Sequence, residues 1–182
     1  MILSTPVGRL QTATALFLAL AMAATVGGAL GFQHIGGYIP CKLCYEQRIP
    51  YYAGAPLMVL AFASAAFRLP PVVTRLLLFI GGLLMTYGLY LGVFHSGVEW
   101  GWWPGPTDCG VVDMSTVTGG SNGVLDSLNT VIPPSCDKAA LRILGLSLAG
   151  WNAIASLILA AVAFNGAFAR DADPVLAQES RT

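Results

Sequence analysis

Charge is what this chain has least of. Only 10% of its 182 residues are Asp, Glu, Lys or Arg, where a soluble domain carries roughly 25%. A water-soluble globule is therefore excluded. Net charge is missing as well: nine basic residues balance nine acidic ones. A nucleic-acid-binding surface would show a basic excess. With 55% hydrophobic residues, the chain also lacks the low hydrophobicity that disorder requires. It lacks the alternating segments of about ten residues that mark a transmembrane barrel. The reading that survives is a single integral membrane domain over residues 1–182, built from helices.

Four runs carry no charge: residues 10–33, 49–67, 76–94 and 143–169. Crossing a hydrocarbon core takes about 20 apolar residues as a helix. In lipid the backbone must satisfy its own hydrogen bonds, so each run reads as a transmembrane helix. The first run also resembles a signal peptide, with Arg9 ahead of it and small residues near Ala21–Ala24. It is longer than the usual apolar region of about 7–15 residues. The fold class expected is an all-α membrane protein, a four-transmembrane-helix bundle. Four spans place both termini on one side and loops 34–48 and 95–142 on the other. Lys and Arg divide five to four in favour of the terminal side. The middle loop, 68–75, holds Arg68 and Arg75 and no acid. The positive-inside rule then puts the termini in the cytoplasm.

The four cysteines all lie in the two outer loops: Cys41 and Cys44 in the first, Cys109 and Cys136 in the second. Small apolar packing residues would fall mainly in the spans. An even number facing an oxidising compartment points to two disulfides. Cys41-Lys42-Leu43-Cys44 is a C-x-x-C at the membrane edge, a spacing that lowers thiol pKa values in redox proteins. Half a zinc site has the same spacing, but zinc would want a second C-x-x-C or a histidine pair, so no metal is expected. Cys109 and Cys136 fit a structural staple as well as a redox pair. Arg48 follows Cys44 by four residues. A helix starting near Cys41 sets the two on one face, the guanidinium beside the sulfur. A cation and a helix N-terminus both favour a thiolate. Arg48 also fits a snorkelling residue at a span end, and Pro50 threatens the helix that aligns the pair.

Pro40-Cys41-Lys42-Leu43-Cys44-Tyr45-Glu46-Gln47-Arg48 after a first span resembles the disulfide bond formation protein B (DsbB) family. So does His95 at the end of the third span, followed by Gly97-Val98-Glu99-Trp100-Gly101-Trp102-Trp103-Pro104-Gly105-Pro106 and Cys109. The resemblance covers nearly the whole chain. It implies a thiol:quinone oxidoreductase of the bacterial inner membrane, with its cysteine loops in the periplasm. It implies a DsbA-like, thioredoxin-like dithiol partner and a membrane quinone, ubiquinone or menaquinone, as electron acceptor. By this resemblance the partner attacks Cys109, Cys136 attacks Cys41, and Cys44 is released as a thiolate. Arg48 matches the arginine that polarises the quinone, and His95 matches a position near it. Gln47 and Glu46 are read as neighbours only, and His34 as the end of the first span.

Trp100, Trp102 and Trp103 read as an aromatic belt at headgroup level. Residues 124–132 place apolar side chains at helical spacing and read as a short interfacial helix in the second outer loop. Two rivals remain. A non-catalytic four-span protein with a stapled loop explains neither the C-x-x-C nor Arg48. A vitamin K epoxide reductase-like enzyme shares the spans, the C-x-x-C and the quinone. Its C-x-x-C, however, is expected near the end of the bundle.

Overall fold

The computed structural model describes residues 8–106 and 136–169. Four long helices build it: α1 (Arg9–His34), α2 (Lys42–Ala66), α3 (Pro71–Glu99) and α4 (Leu148–Phe168). All four are long and apolar enough to cross a membrane, so the all-α four-span architecture stands. Cys109, the interfacial helix expected over 124–132 and the tail beyond 169 lie outside the described residues.

The bundle is held by close packing, since lipid removes the hydrophobic drive between helices. Its centre is small residues and methionines: Ala15, Leu18, Met22, Met58, Met85 and Ala163 are fully buried. At Gly92 the α3 backbone comes so near α4 that an added Cβ would lie 2.9 Å from the Ala153 backbone. Large apolar side chains such as Leu20, Leu60, Tyr90 and Leu157 point outward. In water that exposure would be costly, and in lipid it is the expected surface.

Helix ends differ from the ends of the uncharged runs, for local reasons. α2 begins at Lys42 rather than 49, because Lys42, Glu46 and Arg48 ride on its first two turns. Charge gaps measure hydrocarbon, whereas helices extend past it. α2 also continues through Pro50 and Pro56, so the proline that threatened the alignment does not end the helix. α4 begins at Leu148 rather than 143. Residues Arg142–Ile143 and Leu146–Ser147 pair as a two-residue-loop hairpin. Its loop residues Leu144 and Gly145 have φ of 53° and 84°, as a type I′ turn demands. Leucine is an uncommon choice there, so the turn carries no residue signal. Ser147 then caps α4, accepting from the Gly150 N–H at 3.2 Å.

Arg75 is the main correction at the other end. Expected as a loop cation, it lies inside α3 and is 1% exposed. Its guanidinium donates to the Ala167 and Ala169 carbonyls at 2.9 and 2.8 Å. Those carbonyls end α4, where the helix dipole is negative. Gln11 Nε2 also donates to the Ala169 oxygen, at 3.0 Å, so α1 starts where α4 finishes, as an even number of spans requires. Arg75→Met is expected to cost about 2 kcal/mol by stranding these carbonyls. A thermal melt of the detergent-solubilised variant at the wild-type midpoint would refute that role.

Candidate functional site

The first turn of α2 gathers the sulfurs. Cys41 is its N-cap, in extended conformation (φ −76°, ψ 172°) after Pro40. A helix leaves its first backbone N–H groups without intrahelical acceptors, and here sulfur serves them. Cys44, third residue of the helix, turns back onto the Cys41 N–H, as a Glu or Gln does in a capping box. Cys136 arrives from the far end of the second loop and takes the N–H groups of Leu43 and Lys42. Val98 and Trp103 close over this cluster.

Cys41 and Cys44 stand as thiols with their sulfurs 3.1 Å apart. The hydrogen bond to Cys44, and then burial, push the Cys41 thiol up to about 12, against a smaller opposing pull from His95. Burial pushes the Cys136 thiol up to about 11, partly offset by the Leu43 N–H. The ligand atoms of Cys41, His95 and Cys136 all lie within 4.8 Å of one another. Residues from three separate segments thus meet at one point.

His95 reaches Cys41 with Nε2, at 3.7 Å from the sulfur. The same nitrogen lies 3.8 Å from Glu99 Oε1, one turn further along α3. Both side chains are buried, and Glu99 Oε2 has no hydrogen-bond partner among the described residues. On its other side His95 Nδ1 meets Gln47 Nε2 at 2.6 Å. Gln47 Oε1 accepts from Asn152 Nδ2 at 2.8 Å. Asn152 Oδ1 accepts from the Tyr51 hydroxyl at 2.7 Å, and Tyr51 meets Ser156 Oγ at 2.8 Å. As assigned, this chain of amides gives Nδ1 an N–H to accept and leaves the proton on Nε2, facing Cys41 and Glu99.

Gln47 is therefore no mere neighbour: it is the hub that orients His95. The signal was present as polar pairs four residues apart inside spans, Gln47 with Tyr51 and Asn152 with Ser156. Such residues face a bundle interior and find one another. Removing the hydrogen bond to His95 costs about 1.4 kcal/mol, or about tenfold in rate. Gln47→Leu should slow turnover at this site by about that factor. Wild-type turnover would reduce the network to packing.

Arg48 departs from the expected register partner. Its guanidinium crosses to α1, donating to Gln33 Oε1 at 2.5 Å and to the Ala29 carbonyl at 3.3 Å. The Tyr45 ring lies beneath it, 5.4 Å from centroid to guanidinium carbon. Arg48 and Cys44 nevertheless share the wall of one cavity of about 500 Å³. His95, Gln47 and Asn152 line the same cavity, with Ala24, Val26, Ala29, Phe32 and Ile39 supplying its apolar side. Mostly apolar walls with a few convergent polar groups suit a flat, lipid-soluble ring carrying carbonyl oxygens. Arg48 and His95 would hold such oxygens, and Cys44 would face the ring.

The tryptophans divide. Trp100 and Trp102 are exposed, as an aromatic belt requires. Trp103 leaves the belt. It stacks on Phe94 with centroids 5.9 Å apart and donates Nε1–H to the Phe94 carbonyl at 2.8 Å. Only glycine at 97 leaves room for its ring.

A family model for disulfide bond formation protein DsbB matches residues 11–165. No curated protein and no solved structure matches the chain.

Proposed function

The chain belongs to the DsbB family, a family of oxidoreductases that form disulfide bonds with the use of quinone, and from that premise we propose the particular relay it runs. It is a bacterial inner-membrane thiol:quinone oxidoreductase that reoxidises a periplasmic, DsbA-like dithiol protein. Its termini are cytoplasmic and its cysteine loops periplasmic. Electrons pass from the partner to Cys109–Cys136, then to Cys41–Cys44, then to a membrane quinone, ubiquinone or menaquinone.

The observation that carries this reading is the meeting of Cys136 with Cys41 at the start of α2. A resolving thiol must reach the sulfur it attacks. A partner thiolate attacks Cys109 and frees Cys136. Cys136 attacks Cys41 and expels Cys44, whose thiolate the Cys41 N–H and the positive helix end stabilise. The partner's second thiol then displaces Cys109 and leaves as the oxidised partner; the freed Cys109 thiolate attacks Cys136, which regenerates Cys109–Cys136 and leaves Cys41 and Cys44 reduced. Quinone, when bound, accepts the two electrons that re-form the Cys41–Cys44 disulfide. Arg48 supplies positive charge beside the cavity, and His95 holds a proton on Nε2 next to Cys41. A stapled, non-catalytic loop gives no reason for three cysteines and a histidine to converge.

Cys136→Ser should trap the partner as a mixed disulfide on Cys109: the unpaired Cys109 thiolate attacks the oxidised partner's disulfide, and the Cys136 thiol that would displace the partner from Cys109 is gone. Capture through Cys41 instead, read by peptide mapping, would reverse the order. After reduction in intact cells, the cysteines should react with a membrane-impermeant thiol reagent. Labelling only after lysis would place the loops in the cytoplasm.

A further inference from the structure

We propose that the reduced protein binds one Zn²⁺ through Cys41 Sγ, His95 Nε2 and Cys136 Sγ. Sequence spacing argued against zinc because it weighs only neighbouring ligands. Here the ligands come from the start of α2, the end of α3 and the end of the second loop. Zinc takes thiolate sulfur at about 2.3 Å and imidazole nitrogen at about 2.0–2.1 Å, so tetrahedral edges run about 3.5–3.8 Å. The Cys41–His95 edge is already 3.7 Å, and all three atoms fit within 4.8 Å.

Two further features suit a metal. A ligating histidine usually donates its second ring N–H to an acceptor that fixes the ring. Gln47 stands at Nδ1 at 2.6 Å. If the Gln47 and Asn152 amides are both turned over, Gln47 Oε1 accepts from Nδ1–H and Asn152 donates to the Tyr51 oxygen. The network is as complete that way as the other, and Nε2 is then free to ligate. The second feature is Glu99, 4% exposed, with Oε1 3.8 Å from His95 Nε2 and Oε2 unpartnered among the described residues. It lies beside the ligating nitrogen though outside the three-atom cluster, a buried acceptor for a water in the fourth position. Binding exchanges two thiol protons for the metal and involves no electron transfer.

The binding stands on these side chains alone. Its consequence rests on the proposed relay: zinc would hold Cys41 and Cys136 as ligands and arrest the reduced enzyme.

The test uses the full chain in detergent, reduced with a phosphine and titrated with Co²⁺. One equivalent should give the intense visible bands of tetrahedral cobalt with thiolate charge-transfer absorption, bleached by one equivalent of Zn²⁺. Cys109→Ser, which removes a competing disulfide partner for Cys136, should keep that spectrum. His95→Ala and Cys136→Ser should each weaken Co²⁺ binding by about a hundredfold or more. Gln47→Leu should weaken it by about 10–100-fold through the ring's outer partner. A weak octahedral spectrum in wild type or in Cys109→Ser would overturn the site. So would a tetrahedral spectrum that survives both His95→Ala and Cys136→Ser. Quinone reduction measured with a chelator present tests the relay separately. Failure there, with tetrahedral cobalt bound, would remove the arrest and leave the site.

Discussion

Cys44→Ser is expected to abolish quinone reduction, to the level of protein without thiols, while the four-helix bundle remains folded. Cys44 lines the cavity with Cys41, on the same wall as Arg48, and in the proposed relay it is the thiolate that re-forms the Cys41–Cys44 disulfide as quinone is reduced. Serine preserves the turn onto the Cys41 N–H, because its hydroxyl oxygen accepts as well as sulfur does. The helix cap and the packing are therefore kept, and only the redox chemistry is lost. The variant should also accumulate a Cys41–Cys136 disulfide, since Cys44 can no longer compete for Cys41. Non-reducing peptide mapping reads that product directly. Residual quinone reduction above background would show that electrons leave by another route.

Arg48→Ala should produce the next largest loss. The guanidinium is partly buried and bound to α1 through Gln33 and the Ala29 carbonyl. Near hydrocarbon its charge is weakly screened, so its effect exceeds the ~0–1 kcal/mol of an exposed pair. Removing a donor aimed at developing negative charge costs about 2.7–4 kcal/mol, or about 10²–10³ in rate. The loss should appear as a raised quinone KM together with a lowered kcat, with both disulfides intact. Arg48→Lys should recover only part, because a point charge cannot span Gln33, the backbone carbonyl and a quinone oxygen as a planar fork does. Unchanged quinone kinetics in Arg48→Ala would leave Arg48 as an anchor between α1 and α2.

The two effects have different origins. In the proposed relay Cys44 carries the electrons, and Arg48 shapes the electrostatics of the place they go. The structure separates them more than the sequence did. Spacing alone set Arg48 directly beside the Cys44 sulfur, because residues four apart share a helix face. The side chain is long enough to leave that face, and α1 offers it an amide oxygen and a carbonyl. A pattern within one helix cannot register a competing partner on another.

Elsewhere the legibility followed the same divide. The spans were plain from the absence of charge, since lipid imposes that absence on every turn. The cysteines were plain from their confinement to two loops. The hairpin at 142–147 was hidden because a leucine holds one of its positive-φ positions. Arg75 looked like a loop cation because nothing local shows that the end of α4 waits for it. Gln47 was passed over beside a more conspicuous arginine. Its i,i+4 partnership with Tyr51, matched by Asn152 and Ser156 on α4, was readable as a polar seam between two apolar helices. Cys136 meeting Cys41 is a tertiary fact that no spacing encodes.

The relay is tested most directly by mixing purified protein with a quinone and a reduced thioredoxin-like dithiol protein, in the presence of a chelator. Quinone absorbance and partner thiols are followed together. One quinone should be reduced for each partner dithiol oxidised, and Cys44→Ser should abolish turnover. Oxidation of the partner without quinone loss, or quinone loss that survives Cys44→Ser, would contradict it.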